Sequence, residues 1–216
     1  MSVFPVILSS PSGAGKTTIA RELLDRRPDM GYSVSCTTRR ARDGEVDGEH
    51  YYFLSRAEFG AALERNEFAE SAEVHGELYG TLRREVDRVL ASARHVVMDI
   101  DVQGARQFVQ MYPETVLIFV LPPNVDVLMG RLRSRGTESD DSLARRLRSA
   151  AAELKSVDLY EYVIVNDDLE RAVSSVSGIV DAEALRTDRP NDVKSRVESL
   201  LADLEAKLSN MNGSNS

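Results

Sequence analysis

Residues 9–18 carry the combination of side chains that is most typical of phosphate binding. The sequence there is Ser-Ser-Pro-Ser-Gly-Ala-Gly-Lys-Thr-Thr, after an apolar run and before a helical pattern. A strand, a glycine-rich turn and a Lys-Thr pair that opens a helix make up the P-loop motif. Gly13 and Gly15 allow successive backbone N–H groups to converge on an anion, and the helix N-terminus favours negative charge. The motif therefore predicts a site for the phosphates of a nucleotide.

Within this loop the side chains have separable roles. Lys16 is expected to reach the β- and γ-phosphates, and the Thr17 hydroxyl to ligate Mg²⁺. Position 10 is serine where the strict motif has glycine, so a glycine-containing turn with an incidental lysine is the alternative. The predicted ATP-binding residues of the loop are Ser12, Gly13, Ala14, Gly15, Lys16, Thr17 and Thr18.

The predicted elements around the loop alternate between strands and helices, as in an α/β protein. Apolar, β-branched runs suit strands that are covered on both faces, and helical patterns between them favour a parallel sheet. The predicted strands are 3–9, 95–100, 115–121 and 161–165. The predicted helices are 16–26, 56–65, 83–93, 103–111, 124–134, 140–156 and 168–183.

Two regions depart from this alternation of strands and helices. Residues 33–82 hold short aromatic and polar segments, which indicates an inserted subdomain with short strands. Residues 186–192 are typical of a linker, and residues 193–208 place apolar side chains on one helical stripe. That helix is expected to dock on the body or on a second subunit, and residues 210–216 to form a disordered tail.

Composition narrows the class of protein. The chain has 216 residues, a net charge of −8 and one cysteine. The acidic balance argues against nonspecific nucleic-acid binding, which depends on cationic neutralisation of phosphates. No apolar run approaches the roughly 20 residues of a membrane span, and no secretory signal is recognised. A single cysteine is typical of a reducing compartment, so a cytoplasmic location is expected.

Beyond the P-loop the sequence resembles the guanylate kinases, which phosphorylate GMP with ATP. The pattern S-x-T-T-R-x-x-R-x-G-E-x-x-G-x-x-Y is met from Ser35 to Tyr51. The resemblance covers about residues 3–183, and non-glycine residues are common in the family at the position of Ser10. The further matching segments are 68–70, 79–81, 99–104, 121–123, 133–137 and 165–168.

The resemblance implies an acceptor site in the insertion. Ser35, Arg39, Arg42, Tyr51 and Tyr79 would hold the phosphate of GMP. A carboxylate can accept both N1–H and N2–H₂ of guanine, where adenine presents an acceptor. The family places Glu70 and a hydroxyl residue, here Thr81, at the base, with Asp101 as a further candidate for the amino group.

The donor side is implied in the same way. Arg135 and Arg146 would reach the phosphates of ATP from a lid, Arg131 would face the adenine, and Asn166 matches an adenine-side residue. Asp99 follows a predicted strand, where a carboxylate approaches Mg²⁺ through water. Asp99 could instead cap the helix 103–111, and so could Asp101, which leaves their roles exchangeable.

The resemblance thus implies an ATP:GMP phosphotransferase that uses Mg²⁺ and acts on GMP or dGMP, with Lys16, Arg42, Arg135 and Arg146 as catalytic residues. It implies a P-loop NTPase core with a parallel sheet flanked by helices, a small α/β GMP-binding insertion and a helical lid. The alternatives are another P-loop kinase of a small phosphorylated substrate, or a non-catalytic guanylate-kinase-like binding module. No nucleic-acid or membrane partner is expected, and a homo-oligomer is possible.

The expected division of the chain has two parts. The first is a guanylate kinase-like domain over residues 1–185, and the second is a linker with a helix over 186–209. Within the domain we expect a core of 1–32, 83–130 and 150–185, an insertion of 33–82 and a lid of 131–149.

Overall fold

The computed structural model describes residues 2–74, 76–92, 94–133, 140–189 and 193–213, and the side chains of 140–142 and 209–213 lie outside this description. Nine strands are described: β1 (Pro5–Ser9), β2 (Met30–Tyr32), β3 (Ser35–Thr37), β4 (Tyr52–Phe53), β5 (Phe68–Val74), β6 (Glu77–Leu82), β7 (His95–Met98), β8 (Val116–Leu121) and β9 (Tyr162–Val165). Eight α-helices are described: α1 (Lys16–Arg26), α2 (Arg56–Glu64), α3 (Arg83–Ala91), α4 (Val102–Met111), α5 (Val125–Arg133), α6 (Asp140–Leu154), α7 (Leu169–Ala184) and α8 (Val193–Gly213). None of these helices is long and apolar enough to cross a membrane.

The central sheet is parallel throughout and has the strand order β2-β7-β1-β8-β9. All five side chains of β1 are buried, as are all four of β7. Separate apolar clusters cover the two faces, one with α1 and α7 and the other with α3 and α4. Burial on both faces explains the nearly continuous apolar runs of these strands. The predicted α/β class with a P-loop core is confirmed.

The insertion forms a second sheet with its own core. Its strand order is β4-β3-β6-β5, with β3–β4 parallel and the other pairs antiparallel. Its core is a small cluster built around Phe59, which stacks on Phe68 at 4.4 Å between ring centroids. The short strands that the sequence predicts for residues 33–82 are therefore present.

The differences from the predicted elements lie at their ends and in one short strand. Helix α1 has the predicted bounds, whereas β1 begins at Pro5 and β7 ends at Met98. Strand β2, which pairs with β7, was not predicted because three residues with a central glycine show no periodicity. Helix α8 extends to Gly213, into residues that the sequence assigns to a disordered tail, and residues 214–216 lie outside the described chain.

Candidate active site

A cleft of about 640 Å³ brings the two predicted half-sites together. Four parts of the chain line it: the β1–α1 turn, the β7–α4 turn, the inserted sheet and helix α6. The predicted site residues in its wall are Ser12, Lys16, Thr17, Ser35, Arg42, Tyr51, Glu70, Tyr79, Asp99, Asp101 and Arg146. Residues far apart in sequence thus share one cavity, as a two-substrate site requires.

The β1–α1 turn has the backbone conformation of an anion-binding loop. Gly13 and Gly15 have φ of 90° and 98°, in the left-handed region that favours glycine. Helix α1 begins at Lys16, so its N-terminal N–H groups and positive dipole end face the loop. Ala14 lies inside the loop and is fully buried, whereas Thr18 is exposed on α1. The predicted P-loop is present as a folded element.

The outer side of this loop is held by two of the predicted adenine-side residues. Asn166 is buried, and its Nδ2 donates to the Ala14 carbonyl at 2.8 Å. Arg131 donates to the same carbonyl at 3.1 Å and to the Asn166 carbonyl at 3.4 Å. A side chain at Gly15 would overlap Asn166 Nδ2, so glycine is required there for packing as well as for φ.

Thr17 and Asp99 meet where the P-loop faces the end of β7. The Thr17 hydroxyl donates to Asp99 Oδ2 at 2.5 Å, and the Tyr32 hydroxyl donates to Asp99 Oδ1 at 2.7 Å. Burial and the neighbouring Asp99 charge raise the pKa of Tyr32 well above its usual value, so its hydroxyl remains a donor. Both carboxylate oxygens are thereby fixed beside a hydroxyl oxygen, and oxygen donors are the ligands that Mg²⁺ prefers. The residues present fit this ion.

The structure shows which of Asp99 and Asp101 caps helix α4. Asp101 is the N-cap of this helix, and its Oδ1 accepts from the Gly104 N–H group at 2.7 Å. The alternative that Asp99 caps the helix is therefore wrong, because its carboxylate is engaged by Thr17 and Tyr32. Asp101 also lines the cleft, so capping and ligand contact are compatible.

Glu70 is the most perturbed carboxyl group in the cleft. Only 5% of it is exposed, and the buried Thr81 hydroxyl donates to its Oε1 at 2.6 Å. Burial raises the pKa of Glu70 to about 7, and the Asp101 charge adds to this while the bond from Thr81 opposes it. In its ionised form this buried carboxyl group is acceptor-only, and beside the Thr81 hydroxyl it suits a ligand edge that presents adjacent donors.

The predicted phosphate-binding arginines differ in their surroundings. Arg39 forms a two-pronged ion pair with Glu45, with both N–O distances at 2.9 Å, and its guanidinium carbon lies 5.5 Å from the Tyr51 ring centroid. Arg42 lines the cleft, and its backbone N–H donates to Glu45 at 2.7 Å. Glu45 thus organises the loop that carries both arginines, with Arg42 directed to the cleft.

Helix α6 brings positive charge to the P-loop. Arg146 donates to the Ser12 hydroxyl at 3.0 Å and to the Leu132 carbonyl at 3.3 Å. Helices α5 and α6 pack on each other through a small apolar cluster that includes Leu132. Arg145 also lines the cleft, whereas Arg135 lies outside the described residues.

Three residues of this region were not identified from the sequence. Tyr32 reaches Asp99 from the unpredicted strand β2, and Glu45 lies among the matched motif residues without an assigned role. Glu153 lines the cleft from α6, near Lys16 and the Ser12 N–H group, and burial raises its pKa. Its position in the helix, seven residues after Arg146, was the available signal, since residues seven apart share a helix face.

Comparisons with known proteins agree with this geometry. A family model described as guanylate kinase matches residues 2–183. A guanylate kinase from Carboxydothermus hydrogenoformans is 45% identical over 186 residues, which are 86% of this chain and 91% of that protein. Another, from Rhizobium meliloti, is 46% identical over 199 residues, which are 92% of this chain and 91% of that protein.

A solved structure gives the same result for the fold. The crystal structure of guanylate kinase from Anaplasma phagocytophilum matches with a TM-score of 0.76 at 36% identity. The match covers 92% of this chain and 95% of that one. The resemblance seen in the motifs therefore extends over nearly the whole fold.

Proposed function

Because the chain belongs to the guanylate kinase family, we propose that it transfers the γ-phosphate of ATP to GMP or dGMP, with two groups of cleft residues holding the two nucleotides. The chain is a nucleoside monophosphate kinase, and the family fixes this reaction class. The observation that carries the residue assignments is the shared cleft, which contains Lys16 and Thr17 on one side and Arg42, Glu70 and Tyr79 on the other.

The donor half is assigned to the P-loop and the lid. The N–H groups of residues 13–17 hold the β-phosphate, and Lys16 meets charge on the β- and γ-phosphates. Arg146 is next to the loop through Ser12, and we assign its guanidinium to the charge on the transferring group. Arg131 and Asn166 support the loop from the adenine side, and Arg135 keeps its assignment from the family motif alone.

The acceptor half is assigned to the inserted sheet. Ser35, Arg42, Tyr51 and Tyr79 line the cleft and supply hydroxyl and guanidinium donors for the GMP phosphate, with Arg39 beside them. Glu70 accepts N1–H and N2–H₂ of guanine, while the Thr81 hydroxyl fixes the carboxylate. Adenine presents an acceptor at the corresponding edge, so it would leave Glu70 unpaired.

Mg²⁺ is proposed as the cofactor that accompanies ATP. Thr17 and Asp99 would hold it, the aspartate through water, and Tyr32 would orient Asp99. When bound, the ion neutralises charge on the donor phosphates. The chain's own contribution is to keep one hydroxyl and one carboxylate adjacent before the nucleotide arrives.

Catalysis in this arrangement is positioning combined with charge stabilisation. The second pKa of a phosphate monoester is about 6, so the acceptor is ionised at neutral pH and needs no general base. Two anionic substrates repel each other until cations lie between them, and Lys16, Arg42 and Arg146 all reach the same cleft. These side chains are therefore the proposed catalytic residues, together with Arg135.

An ADP-release assay with GMP, dGMP, AMP, CMP, UMP and ribose bisphosphate tests the substrate assignment. We expect strong preference for GMP and dGMP, and loss of turnover when EDTA exceeds Mg²⁺. Preference for another acceptor would indicate a different P-loop kinase. ATP-independent binding of GMP without turnover would indicate a binding module.

Gly104 provides a structural test of the Glu70 assignment. A Cβ at this helix position would overlap Glu70 Oε2, so Gly104→Ala must displace the carboxylate. We expect KM for GMP to rise about tenfold, on the order of one charge-assisted hydrogen bond, with KM for ATP unchanged. Gly178→Ala is the matched control, because a Cβ at that α7 position meets nothing within 4 Å. Equal KM values for GMP in the two variants would contradict the assignment of Glu70 to the guanine base.

The division of the chain follows from the same residues. We propose a core of 1–32, 83–130 and 150–185, a GMP-binding insertion of 33–82 and a lid of 131–149. A cytoplasmic location is proposed on the single, buried cysteine, Cys36, which suits a reducing compartment.

A further inference from the structure

Helix α4 of the core holds strand β5 of the insertion at the residue that follows Glu70. Strand β5 lies at the edge of the inserted sheet, and an edge strand leaves backbone groups without a partner strand on its outer side. Gln107 of α4 pairs with those groups at Ser71. Its Oε1 accepts from the Ser71 N–H group at 3.1 Å, and its Nε2 donates to the Ser71 carbonyl at 2.8 Å. The Gln107 side chain therefore takes the place of a neighbouring strand.

The residue that precedes Glu70 is attached to the core as well. The register of β5 against β6 shifts between Phe68 and Glu70, which makes Ala69 the extra residue of a β-bulge. Ala69 is buried in the apolar cluster of the core that also contains Phe108 of α4. Bulges re-aim neighbouring side chains and are common beside active sites. Glu70 thus stands between two residues that are held by the core, although its strand belongs to the insertion.

The carboxylate of Glu70 itself lies against α4. Gly104 precedes Gln107 by one turn, and a Cβ at Gly104 would overlap Glu70 Oε2. The other carboxylate oxygen accepts from the Thr81 hydroxyl on β6. Among the hydrogen bonds of the described residues, those of Gln107 alone join α4 to β5. The position of the carboxylate relative to the core therefore depends on this contact.

Glu70 also lies between two cavities. It lines the cleft, and together with Ser71 and Gln107 it lines a separate crevice of about 440 Å³. The contact between Gln107 and Ser71 thus borders the crevice from which solvent would approach Glu70 from behind. A strand that moved away from α4 at this point would both shift the carboxylate and open its surroundings to water.

We propose that Gln107 is a positioning residue for guanine recognition. By holding Ser71 against α4, it keeps the Glu70 carboxylate aligned with N1–H and N2–H₂ of the base. Gln107 is absent from the residues that line the cleft, so it acts through Glu70 and not by contact with the nucleotide. This inference rests on the proposed function, because it concerns the same acceptor site.

Substitution of Gln107 tests this role. Gln107→Ala removes both hydrogen bonds, and Gln107→Met removes them while it keeps a side chain of similar length. Gln107 is exposed, and alanine and methionine are good helix formers, so α4 should stay folded. We expect KM for GMP to rise about tenfold in both variants, on the order of one charge-assisted hydrogen bond. The kcat value and KM for ATP should stay unchanged, since only binding of the base is affected.

Gln110→Ala is the matched control for these variants. Gln110 is an exposed glutamine one turn further along α4, and it lines the same crevice. IMP, which lacks the 2-amino group of GMP, gives a readout of alignment at the base. We expect the preference for GMP over IMP to fall in Gln107→Ala and to stay at the wild-type level in Gln110→Ala.

A double-mutant cycle separates positioning of Glu70 from general support of the insertion. In the Glu70→Gln background the carboxylate is already lost. Gln107→Ala should therefore change KM for GMP by less than about twofold there, because two residues that act through one contact are not additive. An equally large effect in both backgrounds would overturn the proposal, because the effect would not pass through Glu70.

Calorimetric titration of GMP into each protein distinguishes the two possible failures. If the wild type does not bind GMP, the proposed function is wrong, and this inference is overturned with it. If the wild type binds GMP and Gln107→Ala binds it as tightly as Gln110→Ala, the role of Gln107 alone is overturned. Wild-type affinity in Gln107→Met would also overturn it, because the contribution would then come from packing and not from the two hydrogen bonds.

Discussion

Lys16→Ala is expected to lower kcat for GMP phosphorylation by about 100- to 1,000-fold, the usual effect of removing one preorganised group that meets transition-state charge. Lys16 begins α1 and lines the cleft at the point where the P-loop, α6 and the β7–α4 turn converge. The cleft also contains the carboxylates of Glu70, Asp99, Asp101 and Glu153. Loss of one cation therefore leaves the transferring phosphoryl group in a more negative cavity.

The fold should tolerate this change. Lys16 is half-buried at a helix start, where alanine is a good helix former, so the thermal midpoint is expected to stay close to that of the wild type. Lys155→Ala is the matched control, because it removes an exposed lysine that does not line the cleft. Turnover by Lys16→Ala at the level of Lys155→Ala would remove the P-loop lysine from the mechanism.

The parallel sheet could be predicted because strands that are buried on both faces have nearly continuous apolar sequences. Strand β8 consists entirely of apolar residues and β1 contains the run Val-Ile-Leu, and almost every side chain in the two strands is buried. The P-loop could be located because its glycines, lysine and threonine occupy fixed positions after β1. Backbone constraints of this kind act over a few residues, so they can be recognised in a single sequence.

Contacts between distant segments could not be predicted in this way. Tyr32 meets Asp99 only because β2 pairs with β7 in parallel, and three residues of strand carry no periodic signal. The choice between Asp99 and Asp101 as helix cap depends on which carboxylate the P-loop threonine engages. Glu153 approaches Lys16 only when α6 packs against the loop. These are three-dimensional facts that propensity and spacing do not encode.

Glu70→Gln is expected to raise KM for GMP about 10- to 100-fold, which corresponds to loss of a hydrogen bond to a charged group. The amide retains one acceptor for the Thr81 hydroxyl but presents N–H groups where guanine also presents N–H groups. Discrimination against AMP should fall accordingly, while KM for ATP stays unchanged. Glu73→Gln, an exposed position on the same strand, is the control. An unchanged KM for GMP in Glu70→Gln would exclude Glu70 from recognition of the base.

The same variant should be more stable than the wild type in alkaline solution. Burial raises the pKa of Glu70 from 4.5 in the unfolded chain to about 7, so the folded state holds its proton more tightly. This carboxyl therefore favours folding at low pH, and its contribution is lost as pH rises from 4.5 to 7. Glutamine carries no ionisable group, so the stability advantage of Glu70→Gln should be about 2 to 3 kcal/mol larger at pH 8 than at pH 5.

Urea unfolding of the ligand-free protein at the two pH values measures this difference, with Glu73→Gln as the reference. If the free energy of unfolding of Glu70→Gln exceeded that of the wild type by the same amount at pH 5 and pH 8, the assigned burial of an ionised Glu70 would be contradicted. The expected pair of effects, weaker GMP binding with a more stable empty protein, has one physical cause. A carboxylate kept dry for guanine is destabilising until the donors of guanine reach it, so part of the binding energy of GMP offsets that desolvation. Selectivity for guanine and the cost in stability therefore arise from the same buried charge.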